Sequence, residues 1–407
     1  MALPALRNVD GTPVEHEGQT LICLFDPQGV VEDQLLLTPA AFFVSTCLDG
    51  VNDIVDIQAA FARQFQGTLL PSGDIRQIVD VLDTHGFLDS ERFVRIRDEV
   101  ARAFRAAPTR EAHVAGKSYP SDPVDLRAFL DDMFTADGGP GAWQAESSSR
   151  APAPCLVAPH IDFERGGAAY AHGYLGYARV GRPEMVLVFG VAHAGSETPL
   201  ILTKKDFETP FGVLKTDVRA VERIEKACPW DPYVSELVHR TEHSIEFQAV
   251  MLAYLFGTDV RIVPILCGPF SEDAEADDPA AFDAVNEVLG ACREVFESSE
   301  GASVIAGADL AHVGRRFGDP FEINEAVIGK VHRRDHEDLA HVTAVAPEAF
   351  YRSVMKDGNQ RKVCGLGCIY AALKCVEGRA RAGELVHYGY AHDPLGGIVS
   401  FAGVVFS

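Results

Sequence analysis

Three short apolar runs in this chain end in the same way. Residues 154–160 read Pro-Cys-Leu-Val-Ala-Pro-His, residues 184–193 read Glu-Met-Val-Leu-Val-Phe-Gly-Val-Ala-His, and residues 303–312 read Ser-Val-Ile-Ala-Gly-Ala-Asp-Leu-Ala-His. Apolar runs of this kind, bounded by Gly or Pro, predict strands buried on both faces, as in a parallel sheet. In open α/β sheets, ligands gather beyond the carboxyl ends of the strands. His160, His193, Asp309 and His312 are therefore expected in one cleft. Further runs near 260 and 398 predict two more strands, with helical segments between. After Ala151 the pattern thus predicts an α/β domain with a mainly parallel central sheet flanked by helices.

A different rhythm precedes it. Residues 21–25 predict a strand, Asp26-Pro27-Gln28-Gly29 a turn, and residues 35–37 a hairpin partner. Thr38-Pro39 predicts a helix start and Gly50 its stop. Ile54, Ile57, Phe61 and Phe65 share one helical face; Ile75, Ile78, Val79 and Leu82 share another, which Gly86 ends. Residues 92–106 read as a charged connector helix. Two domains are expected: residues 1–105, a small α+β winged-helix-like unit with its connector, and residues 108–407. Residues 136–154, rich in Gly, Ser, Ala and Pro, read as a long mobile loop.

Composition excludes several classes. A chain of 407 residues is too long for one ordinary core. A formal net charge of −23 opposes nucleic-acid and anionic-membrane binding. No apolar run reaches a membrane span, and the N-terminus lacks a signal-peptide pattern, so a cytoplasmic location is expected. Nine cysteines without a Cys-x-x-Cys read as reduced thiols, with Cys47, Cys155, Cys267 and Cys375 in apolar segments. Cys364-x-x-x-Cys368 lacks the third cysteine of an iron–sulfur radical enzyme. There is no Walker loop and no Gly-x-Gly-x-x-Gly.

The histidines carry the candidate chemistry. His160 and His193 follow equivalent strands, and small residues around His193 allow a ligand to approach closely. Asp309 precedes His312 by three residues, so the pair reads as a base with an orienting carboxylate, or Asp309 as a metal ligand itself. Cys364 stands before an apolar helix whose dipole would favour a thiolate; the alternative is a small buried residue. His239-Arg240-Thr241-Glu242-His243 matches His-x-x-Glu-His, the inverted zinc-peptidase motif. His332, His336 and His341 lie among charges and read as a solvated helix face.

Taken together, these motifs resemble the Memo family, also labelled AmmeMemoRadiSam system protein B. The resemblance starts at Arg110 with Ala115-Gly116-Lys117-Ser118-Tyr119-Pro120. It continues through Pro159-His160, the loop at His193, Glu242-His243-Ser244-Ile245-Glu246, Asp309-Leu310-Ala311-His312 and Cys364-Gly365. The family's usual Ala-Gly-Tyr after the first Pro-His is Ile161-Asp162-Phe163 here. The resemblance implies a fold like the class III extradiol (LigB-type) non-haem iron dioxygenases. It also implies a metal held by His160, His193 and Cys364, with Asp309, His312 and His243 around it. The N-terminal hairpin and helices resemble the PqqD-like peptide-recognition domain, through Leu37-Thr38-Pro39-Ala40 and the following Asp-Ile-Val-Asp-Ile helix. That implies a peptide or protein partner added as a strand to the hairpin edge.

Three functions stand. The first is an Fe(II)-dependent oxygenase-like enzyme acting on a small aromatic or peptide-borne substrate. Cu or Zn are the alternatives for the metal. His312 would be its base, positioned by Asp309, and His243 would contact substrate. The second is a non-catalytic metal-binding scaffold. The third is a zinc hydrolase built on His239, Glu242 and His243.

Overall fold

The structure, a computed structural model, describes residues 2–143, 150–270 and 282–407, and the chain divides between Ala107 and Pro108 into two units. The expected loop at 136–154 falls partly outside the described residues, at 144–149.

In the first unit β1 (Asp10–His16), β2 (Gln19–Phe25) and β3 (Leu35–Leu37) form an antiparallel sheet in that order. The pattern missed β1 because its residues are mostly polar. Its register comes from the turn instead: Glu17 and Gly18 both have positive φ, +50° and +75°, the two-residue geometry that matches strand twist. Thr38 caps α1 (Pro39–Thr46) through the Ala41 N–H. That helix ends four residues before Gly50. At its end the Ser45 and Thr46 hydroxyls turn back to the carbonyls of Phe42 and Phe43. Asp53 and Asp56 build a reciprocal capping box at the start of α2 (Ile54–Gln64). α3 (Ser72–Thr84) and α4 (Glu91–Ala106) complete the unit, with Ile57, Phe61, Ile75 and Leu82 buried.

The second unit starts with β4 (Thr109–Arg110) and α5 (Pro123–Thr135). Then come β5 (Cys155–Ala158), α6 (Phe163–Val180), β6 (Met185–Val191), β7 (Leu200–Leu202), β8 (Asp206–Thr209), β9 (Gly212–Leu214) and α7 (Val218–Glu225). After them follow α8 (Ser244–Phe256), β10 (Arg261–Cys267), α9 (Asp283–Glu297), β11 (Ala302–Gly307) and β12 (His312–Gly314). α10 (Glu325–Thr343), α11 (Pro347–Met355), α12 (Leu366–Val376), β13 (Gly383–Asp393) and β14 (Gly397–Phe406) end the chain. A small sheet joins β4, β8 and β9; the large one runs β12-β14-β5-β11-β6-β10-β7, with β13 on the free side of β14.

The large sheet is mixed: the expected parallel arrangement holds at its centre and gives way to antiparallel pairing at its flanks. Its centre, β5-β11-β6-β10, is parallel, while β7, β12, β13 and β14 pair antiparallel. β14 is almost as apolar as a parallel strand, but only three residues join it to β13, and a hairpin can only return antiparallel. Alternate residues serve two helical layers. Leu187, Phe189, Val263, Ile265 and Val304 face α9 and α12, whereas Val186, Val188, Ile262 and Ile305 face α6 and α8. Because β5, β11 and β6 are parallel neighbours, their carboxyl ends open at one pole. No described helix is long and apolar enough to cross a membrane.

Candidate metal centre

His160 leaves the end of β5 and is 2% exposed. Its Nδ1 lies 2.9 Å from the Gly307 carbonyl, which can only accept, so Nδ1 carries the proton and Nε2 keeps its lone pair. The His160 N–H donates to Asp309 Oδ1 at 3.0 Å. Burial, then the neighbouring His193 and His243, push this imidazole well below the usual histidine range, so it is neutral.

His193 follows β6, and its side chain is 37% accessible, close to the 36% of His243. Its Nδ1 lies 3.1 and 3.0 Å from the two carboxylate oxygens of Glu242, which also accepts its backbone N–H at 3.1 Å. Burial opposes charge at both partners. Their mutual attraction wins: His193 is raised well above, and Glu242 lowered well below, the ordinary values. Glu242 also accepts the Ser244 N–H and lies 3.4 Å from His243 Nδ1. One buried carboxylate thus stands behind two imidazoles, whose rings stack 5.0 Å apart at 12°.

His243 reaches the cleft because α8 presses on β6. A side chain at Gly190 would meet Ser244 Oγ at 2.5 Å and Ile245 at 2.6 Å, so only glycine permits this approach. Ser244 Oγ then accepts the Val191 N–H at 2.9 Å. Cys364 arrives through a second close approach: a Cβ on Gly365 would meet Ala308 and the Asp309 carbonyl at 2.5 Å. Its Sγ lies 3.3 Å from His160 Nε2. Burial raises the thiol, partly offset by a hydrogen bond with His193, so the expected dipole-lowered thiolate does not arise.

The structure brings together His160, His193 and His243, whose ligand nitrogens all lie within 4.8 Å of one another, and places Cys364 beside them. The donor set fits a metal ion. His160 keeps an unprotonated Nε2, and a carboxylate behind His193 Nδ1 is the arrangement that orients and strengthens an imidazole ligand.

Two expected relationships fail. Asp309 does not orient His312. It serves His160, its carboxyl pushed up to about 7 by burial, while His312 starts β12 and its Nδ1 meets the Leu310 carbonyl at 3.1 Å. Nor does His239-to-His243 form one helix. His239 sits in a 3-10 turn, Glu236–Arg240, and its Nε2 faces the Ile201 carbonyl, whereas α8 begins only at Ser244. That removes the zinc-hydrolase arrangement. Reading residues one at a time missed Glu242 as the carboxylate behind His193; the signal was there in Glu242-His243-Ser244 and in the lone glycine within the β6 run.

Known proteins resemble this chain over most of its length. A family model described as Memo-like protein matches residues 110–405. A MEMO1 family protein of Aquifex aeolicus is 28% identical over 383 residues, 94% of each chain, an alignment longer than the second unit alone. Another from Methanococcoides burtonii is 30% identical over 300 residues, 73% of this chain and 99% of that protein. One from Methanopyrus kandleri is 27% identical over 303 residues, covering 73% and 98%.

Proposed function

Because the chain belongs to the Memo-like family, we propose that its second unit is a metal-dependent redox protein, an Fe(II) oxygenase-like enzyme for a small aromatic or peptide-borne substrate. The observation that carries this reading is the set of three imidazoles at the pole of the parallel strands. His160, His193 and Cys364 would hold the metal, which when bound supplies redox and Lewis-acid chemistry. His312 is the base. Burial lowers it to about 4, so it is neutral near pH 7 and able to take up a proton, with the Leu310 and Lys362 carbonyls holding its ring. Asp309 positions His160 rather than His312. The first unit is a separable, PqqD-like module that presents a peptide along its exposed hairpin, and the protein works in the cytoplasm.

A second reading, the non-catalytic scaffold, is favoured by one observation: His243 lies in the same nitrogen set. As a fourth donor it would close the coordination sphere. Metal analysis of anaerobically prepared protein, followed by oxygen uptake with catechols and peptides offered in turn, separates the two. Uptake that exceeds a His312→Ala control supports the enzyme. Tight metal binding without uptake supports the scaffold, and no metal bound in a His160-dependent way overturns both.

A further inference from the structure

Arg110 is the largest fully buried side chain of the described residues and lies far from the cleft in sequence. Its guanidinium does not simply neutralise a charge. Nε donates to the His239 carbonyl at 2.9 Å, one Nη donates to the Glu242 carbonyl at 2.7 Å, and the other donates to the Glu111 carbonyl and pairs with Glu246. The two carbonyls at 239 and 242 bracket the turn between the 3-10 segment and α8. That turn carries Glu242, the carboxylate behind His193, and leads directly into His243.

Glu246, one turn into α8, is fully buried as well. It accepts the His113 and Val114 N–H groups at 3.0 Å and the Tyr119 hydroxyl at 2.5 Å, besides pairing with Arg110. All its oxygens are occupied by the arm 110–119. Neither residue points a free atom at the cleft, so neither can be a ligand. What they share is a grip on both flanks of the 239–243 turn.

We infer that Arg110, held by Glu246, is a positioning residue that sets the Glu242–His243 turn and through it the orientation of His193 and His243 toward a metal. This rests on the proposed metal site. The fork matters as much as the charge: lysine would keep a cation opposite Glu246 but cannot reach both carbonyls.

The test uses the full chain and Co(II) alone, read by affinity and by the visible absorption of the bound ion. Arg110→Lys should weaken Co(II) binding about tenfold or more and shift the absorption bands, the scale expected when an outer partner of a ligand is lost. Tyr254→Phe removes a hydrogen bond to Asp131 from the far end of the same helix. It should bind within about twofold of wild type with unshifted bands, although it also lowers stability. Glu246→Gln, an isostere that loosens Arg110, should move affinity and bands in the same direction by less, and it decides the matter if Arg110→Lys fails to fold. Unchanged affinity and bands in a folded Arg110→Lys or Glu246→Gln protein would overturn the inference, as would an equal loss in Tyr254→Phe. A wild type whose Co(II) binding ignores His160→Ala overturns instead the metal site on which the inference rests.

Discussion

The Arg361 cluster and the His160 cluster both gather titratable groups in the second unit, and only the His160 cluster looks like a site. Around Arg361, Asp335 and Asp338 both pair with the guanidinium. Asp335 also accepts from Ser400 and Tyr388, and Asp338 from Ser353. Every carboxylate oxygen there has a partner inside the protein. Around His160, by contrast, the Nδ1 atoms are engaged and the Nε2 of His160 faces a thiol and other imidazoles. Both clusters are rich in titratable groups, but the Arg361 cluster is closed to solvent whereas His193 and His243 are partly accessible. What separates them is bonding capacity left over: the first cluster's carboxylates have spent theirs, whereas the second leaves the unprotonated His160 Nε2 facing the Cys364 thiol and the rings of His193 and His243. The clusters also touch, since the Arg361 carbonyl accepts the His312 N–H and the Ser400 hydroxyl accepts the Ala311 N–H. The spent network frames the unspent one.

The contrast breaks most visibly in stability. Arg361→Met leaves two buried carboxylates without their cation, and urea denaturation should show a loss of about 3–5 kcal/mol. A loss below about 1 kcal/mol would mean that the network is dispensable. The His160→Ala variant should behave in the opposite way. Its metal affinity should fall at least about a hundredfold, roughly 2.7 kcal/mol, as read by isothermal titration. Its metal-free stability should suffer less than that of Arg361→Met. If His160→Ala unfolds the protein while Arg361→Met does not, the roles assigned to the two clusters are reversed.

Why the strand ends were legible and the turn was not follows from what each depends on. β5, β6 and β11 announce themselves because burial on both faces demands unbroken apolar runs, and their ends place His160, His193 and Asp309 by topology alone. His243 enters the cleft through a tertiary contact, α8 against Gly190, which no periodicity encodes. Asp309 and His312 are close in sequence, yet Leu310 and the Ser400 pairing turn the chain between them, so spacing misled. β14 went astray for a similar reason: its apolarity is that of a parallel strand, but its direction is fixed by a turn. The resemblance to a family supplied what local patterns could not, the expectation that His243 and Cys364 belong near the histidines.

A finer division runs across the start of α12. Cys364 sits just before α12, next to His160, whereas Cys368 is one turn inside it and fully buried. Cys364→Ser should lower metal affinity about tenfold, since a soft donor is replaced by a hard hydroxyl. Cys368→Ser should leave affinity unchanged and cost only stability. Equal metal affinity in the two variants would remove Cys364 from the ligand set and strengthen the three-imidazole arrangement.

The smallest effect concerns a histidine that stays out of the cleft. His239 is fully buried, donates to the Ile201 carbonyl, and is lowered to about 3 by burial, with Arg110 and Lys205 adding to the effect and Glu242 opposing it. In the unfolded chain its value returns to about 6.5. Between these limits the unfolded state binds the proton and the folded state does not. Stability attached to His239 is therefore complete above about pH 6.5 and is lost as the pH falls toward 3. From pH 7 to 5.5 the loss should be about 1 kcal/mol. His239→Gln keeps a donor for Ile201 but cannot titrate, so its urea midpoint should fall less steeply over that range than the wild type's. Identical slopes would place the His239 proton in the folded protein already. That would turn His239 from a neutral structural group into a charged one beside Glu242, and the separation between the satisfied and the unsatisfied histidines would no longer hold.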